Sequence, residues 1–113
     1  MARDYQLFPD DDNGDALWNL HEEGADLELD HEIEFATIFP TEDSALSFAM
    51  LLVRNGQKVA FSPYEENEQL PWQVLAYPVM IPTYENISAY EGLLEESAAP
   101  LGGRVDGWGS LEV

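Results

Sequence analysis

The sequence predicts an α+β fold: a ferredoxin-like βαββαβ core, a four-stranded antiparallel sheet with two helices on one face, plus an extra N-terminal helix. Three observations predict it. The stretches "IFPTEDSALSF" and "MIPTYENISAY" echo each other as strand end, Pro, Thr cap, acid and amphipathic helix. A further strand-like stretch follows each of them, which repeats the order strand–helix–strand. A separate helical segment stands ahead of the first strand, outside that repeat. Residues 8–30 thus form an N-terminal helical segment and residues 31–113 the core of a single domain. In this topology the strands that enter helices lie centrally, and the second and last strands are edges.

In "FPDDDNGDALWNLHEEGADL" the acids at the start favour the positive end of a helix dipole. Asp12 or Asn13 is the expected N-cap and Gly24 the stop, with a narrow apolar stripe of Leu17, Trp18 and Leu20. "HEIEFATIFP" alternates, with Ile33, Phe35 and Phe39 on one face and Glu32 and Glu34 on the other, a strand buried on one side. Pro40 ends it and Thr41 caps the next helix. There Ala45, Phe48, Ala49, Leu52 and Val53 fall at the spacing of a buried face, and Arg54 and Gly56 suit its end.

"QKVAFSPY" is a short strand whose Lys58 and Pro63 suit a sheet edge, and "EENEQ" is a hairpin loop. "LPWQVLAYPVMIP" is a long apolar strand in which Pro78 must sit at a bulge or beyond the paired stretch. Thr83 caps the third helix, with Ile87, Tyr90 and Leu94 on one face. Strict alternation along the final "RVDGWGSLEV" puts Val105, Leu111 and Val113 with Gly107 and Gly109 toward the helices, the glycines allowing close helix approach. Trp108 then points to the opposite face with Arg104, Asp106, Ser110 and Glu112; a bulge at either glycine would reverse this. On that face a large indole needs cover, from the N-terminal helix or from a partner. With the helix as cover, Trp108 packs near Leu17, Trp18 or Leu20, and Asp106 makes a polar contact to a helix or loop N–H.

Composition narrows the function. A chain of 113 residues buries roughly two-thirds of its unfolded surface, enough for one core. Against 23 Asp and Glu stand only Arg3, Arg54, Lys58 and Arg104, a formal net charge of −19. Such a chain does not bind nucleic acid directly, which needs Lys and Arg to neutralise phosphates, and does not suit an anionic membrane. Its field attracts cations: a basic protein segment or metal ions. The same acid also serves simple solubility. There is no Cys, no apolar leader and no run of transmembrane length, so a cytoplasmic protein without disulfides is expected. Nothing in the sequence sets an oligomeric state.

No cofactor, metal or catalytic site emerges. In "DDDNGD", setting Gly14 at the sharp turn of a calcium loop places Pro9 at the first ligand and Leu20 at the bidentate one, so the loop fails as an EF-hand. His21 and His31 lack zinc-site spacing and read as surface residues. "GWG" is half a dinucleotide fingerprint and no helix follows it.

The stretches "FPDDDNGDALW", "EEGADL", "EFATIFPTEDSALSF", "WQV", "MIPTYENISAYE" and "GGRVDGWG" span most of residues 8–109. Together they resemble the family of the regulator of ribonuclease E activity B. The resemblance implies the same fold with an added N-terminal helix, and a non-enzymatic activity: binding ribonuclease E, whose scaffold region is rich in Arg, and lowering its cleavage of RNA. One departure is that the best-known members continue into a long acidic tail, whereas this sequence stops at Val113. The expected partner is a basic protein segment, by resemblance ribonuclease E. The candidate contacts are Asp10, Asp11 and Asp12, Glu65 and Glu66, Asp106 and Trp108. The alternatives are a small-ligand or enzymatic domain, marked by a pocket of convergent polar groups with shifted titration, and an acidic nucleic-acid mimic.

Overall fold

In the computed structural model of the chain, residues 3–110 are described, so Leu111, Glu112 and Val113 of the expected last strand lie outside them. The elements run α1 (Asp12–Glu22), β1 (His31–Phe39), α2 (Glu42–Arg54), β2 (Val59–Pro63), β3 (Trp72–Ala76), β4 (Val79–Met80), α3 (Tyr84–Ala98), a 3-10 turn (Ala99–Leu101) and β5 (Arg104–Ser110). Among the described residues the result is α+β, with three α-helices and an open sheet of five antiparallel strands.

Local chemistry sets the helix ends. Thr41 and Thr83 are the N-caps of α2 and α3, their hydroxyls accepting from the amides of Ser44 and Asn86 at 3.1 Å. The cap of α1 is Asp11 rather than Asp12 or Asn13, with its carboxylate accepting from the Gly14 amide at 2.8 Å. Gly24 follows α1 at φ 96°, a left-handed conformation that glycine takes without a Cβ penalty.

β1 is the hub of the sheet. Its odd-numbered residues from His31 to Phe39 are all buried, while Glu32, Glu34 and Ala36 are half-buried. Phe39 packs on Phe48 of α2 at 4.9 Å between ring centroids, and Phe35 on Tyr90 of α3 at 4.7 Å. Ala45, Phe48, Ala49 and Leu52 of α2 and Ile87 and Leu94 of α3 join one apolar cluster with this face. Val53 departs from the expected face and is 57% exposed. His31 is buried, not on the surface, and its Nε2 donates to the Asp26 carbonyl at 2.7 Å.

Five strands stand where four were expected, because the long strand over residues 70–82 is divided at Tyr77–Pro78. Both halves keep one register on β1: Phe39 faces Trp72, Phe35 faces Ala76, Glu32 faces Val79 and His31 faces Met80. Between them the Pro78 carbonyl accepts from the Ile33 amide at 2.9 Å. Proline interrupts the strand because it has no N–H to give a ladder. β2 pairs with β3 and lies at one end of the sheet order.

The last strand overturns the expected parity. β5 pairs with β1 so that Phe35 faces Trp108 and Ala36 faces Gly107, but Thr37 faces Val105. Asp106 is the extra residue of a bulge, and one extra residue reverses every side chain beyond it. Val105 and Trp108 therefore share the odd-numbered face of β1, on which α2 and α3 pack. Trp108 lies 6.3 Å from Phe35 between ring centroids and belongs to the edge of the apolar cluster. α1 does not cross the opposite face; it lies beside α3 and adds Leu17 to that cluster. Gly107 and Gly109 are not sites of close helix approach, since a Cβ on either would meet nothing within 4 Å.

Candidate functional site

The bulge places Trp108 at a groove of about 570 Å³ between α1, α3 and β5. Asn13, in the first turn of α1, ties the three elements together. Its Oδ1 accepts from the Trp108 indole Nε1 at 2.9 Å, and its Nδ2 donates to Ser88 Oγ at 3.2 Å and Glu91 Oε1 at 3.1 Å. One amide thus serves as acceptor and double donor, which fixes its orientation. On α3, Ser88, Glu91 and Glu95 fall three and four residues apart and so line one face, offset from the buried Ile87 and Leu94. Glu95 also accepts from the Val105 amide at 3.0 Å, an N–H at the bulged part of β5.

Asp12, Glu91, Glu95 and Asp106 all line this groove, and no Lys or Arg does. Elsewhere Arg3 pairs with Asp15 at 2.8 Å and Lys58 with Glu32 at 3.4 Å. Four carboxylates around a half-buried indole suit a guanidinium or ammonium group, held by charge on one side and by the ring quadrupole on the other. Among the described residues, no group of three or more His, Asp or Glu side chains could hold a metal ion.

The sequence-predicted residues divide between two places. Asp12, Asp106 and Trp108 come together at the groove. Asp11 stands beside it as the α1 cap and accepts from the Tyr84 hydroxyl, while Asp10 is exposed ahead of it. The Tyr84 and Gly14 donors hold the Asp11 carboxyl below the usual carboxylate range, and Asp11 in turn raises the Tyr84 phenol. Glu66 is linked to Asp106 through Tyr64, whose hydroxyl lies 3.0 Å from Asp106 Oδ2 and 3.1 Å from Glu66 Oε2. Asp106 therefore contacts a phenol and not the expected helix or loop N–H. Those two acceptors, Asp106 first, push the Tyr64 phenol up to about 12. Glu65 is exposed in the loop after β2.

Ser88, Glu91, Glu95 and Tyr64 escaped the sequence reading as site residues, and Asn13 entered it only as a candidate helix cap in the acidic loop. The spacing of Ser88, Glu91 and Glu95 carried a usable signal: a polar face on the same helix whose apolar face was read. Contact of Trp108 with the N-terminal helix was anticipated, but Asn13 makes the hydrogen bond. Trp18 instead meets Phe8 and His21, each at 5.4 Å between ring centroids. Among the described residues, no helix is long and apolar enough to cross a membrane.

A search of curated proteins finds no match. A family model described as regulator of ribonuclease activity B matches residues 10–110, which include α1, the whole sheet and every residue of the groove.

Proposed function

The chain belongs to the regulator of ribonuclease activity B family, and from that premise we propose that it regulates a ribonuclease by binding a basic segment of it, without catalysis of its own. The family makes the protein a regulator of ribonuclease activity. The ribonuclease we propose is ribonuclease E, and the bound segment is Arg-rich. We also read β3 and β4 as one strand broken by Pro78, which makes the sheet order that of a ferredoxin-like core. That order brings the last strand beside β1, where α1 and α3 complete the groove.

One observation carries the reading: the carboxylates of Asp12, Glu91, Glu95 and Asp106 line the groove beside the Trp108 indole with no basic side chain among them. A net charge of −19 speeds encounter with a cationic segment over a long range. The indole and its neighbours then fix where that segment sits. Catalysis finds less support, because the shifted titrations are of Asp11 and of tyrosines, and hydrogen bonds or burial account for them.

The test is direct binding to ribonuclease E, with and without its Arg-rich scaffold region, alongside RNA cleavage. Binding that requires the scaffold, and weakens as salt rises from about 50 to 200 mM, is expected. Salt-independent binding, or equal binding without the Arg-rich region, overturns the proposal.

A further inference from the structure

A second cleft, of about 760 Å³, is lined in part by Tyr84, whose hydroxyl donates to the Asp11 cap of α1. Its walls are the segment ahead of α1, the side of α1 that carries Leu17 and Trp18, residues 25–28 after α1, and the chain that leads into α3. Its floor is apolar: Phe8, Leu17 and Pro82 are buried there. At the mouth Leu7 is 61% and Ile81 42% exposed, so large apolar side chains face water beside an apolar hollow. Asp4, Asp26, Glu28 and Glu85 also line the cleft, and no Lys or Arg does.

We infer that this cleft seats a bulky apolar side chain of the basic segment, with flanking Lys or Arg side chains paired to the carboxylates of its lining. The inference rests on the basic partner proposed above and adds a sequence requirement to it. Two arguments select this occupant. The lining carries four carboxylates and no Lys or Arg, which disfavours anionic ligands and suits an apolar group carried on a cationic chain. Tyr84 lines the cleft while its hydroxyl bonds Asp11, next to the Asp12 and Asn13 that line the groove, so one extended segment can engage both. Charge alone would bind any polycation; an apolar anchor in a shaped hollow selects among them.

Two peptides test this, a short arginine–serine peptide and its counterpart with a central leucine pair. They are titrated into the wild-type protein and into a Leu7→Ser/Ile81→Ser variant, whose altered positions are exposed. The indole N–H resonances of Trp18 and Trp108 are followed alongside the affinity. The leucine peptide is expected to bind the wild type about tenfold tighter, to move the Trp18 signal, and to lose most of that gain in the variant. Equal affinity of the two peptides, with Trp108 shifted and Trp18 unmoved, overturns the cleft and leaves the basic partner standing. A gain that survives in the variant also overturns the cleft. Failure of both peptides to bind overturns the basic partner itself, and the cleft with it.

Discussion

The indole Nε1 of Trp108 donates to Oδ1 of Asn13 at 2.9 Å, across 95 residues of chain, and so fastens the last strand to the first helix. The bond exists because the bulge at Asp106 turns Trp108 toward the helices. Trp108→Ala removes a half-buried indole that packs near Phe35 and is expected to cost about 2–3 kcal/mol. Asn13→Ala should cost less, about 1–2 kcal/mol, since it frees partners that can reach water. If the two act through their shared bond, urea unfolding of the double mutant will show a coupling of about 1 kcal/mol. Strict additivity would mean that the bond adds nothing to stability.

Gly14 reverses an ordinary helix rule. Within a helix, alanine is usually about 1 kcal/mol more favourable than glycine. Here a Cβ would stand 1.7 Å from the Pro9 carbonyl oxygen, and that backbone has to move before any side chain fits. Gly14→Ala should therefore destabilise by roughly 1–3 kcal/mol, seen as a lower urea midpoint. It should also disturb the Asp11 cap and the nearby Asn13. A gain in stability would show that the chain at Pro9 yields freely.

The sequence revealed most where one residue's role depends on its near neighbours. Ile33, Phe35 and Phe39 followed from period two, and Ala45, Phe48, Ala49 and Leu52 from period three to four, because one buried face repeats along each element. Thr41 and Thr83 were readable as caps because each stands alone between a Pro-ended strand and a helical pattern. The α1 cap was less readable, since Asp10, Asp11 and Asp12 carry the same chemistry and only the packing of Pro9 on Gly14 selects among them. The groove depended on a long-range event. A bulge leaves the residue alternation of "RVDGWGS" unchanged on paper, and only pairing with β1 shows that Asp106 is the residue left over. Once Trp108 changes face, Asn13, Ser88 and Glu91 become its neighbours, and no local pattern in the chain connects them.

Tyr64 gives the protein an alkaline signature. Its one hydroxyl proton is shared between the carboxylates of Asp106 and Glu66, which raises its pKa from 10.0 to about 12. A raised folded-state pKa means that the contribution to stability is complete below about pH 10 and is lost as pH climbs through about 12. Titration of phenolate absorbance should show a late ionisation whose amplitude falls by one tyrosine in Tyr64→Phe, the raised phenols of Tyr77, Tyr84 and Tyr90 remaining. The variant's stability should also vary less over that window. An unchanged amplitude of the late transition in Tyr64→Phe would assign it wholly to the other tyrosines and remove the Tyr64–Asp106 bond from the account.

The carboxylates of the groove should separate binding from folding. Glu91→Gln, Glu95→Gln and Asp106→Asn each delete a charge yet keep a carbonyl oxygen that can accept from Asn13, Val105 or Tyr64. Stability should therefore change little, within about 0.5 kcal/mol. Affinity for an Arg-rich ribonuclease segment should fall by about two- to fivefold for each exposed charge removed. The triple variant should also bind with a shallower dependence on salt, because fewer charge pairs remain to be screened. Removing the same number of charges from Glu42, Asp43 and Glu96, on α2 and α3, is the control, since these residues line neither the groove nor the cleft. If the attraction comes only from the total charge, both triple variants will lose the same affinity; a larger loss from the groove set locates the contact beside Trp108.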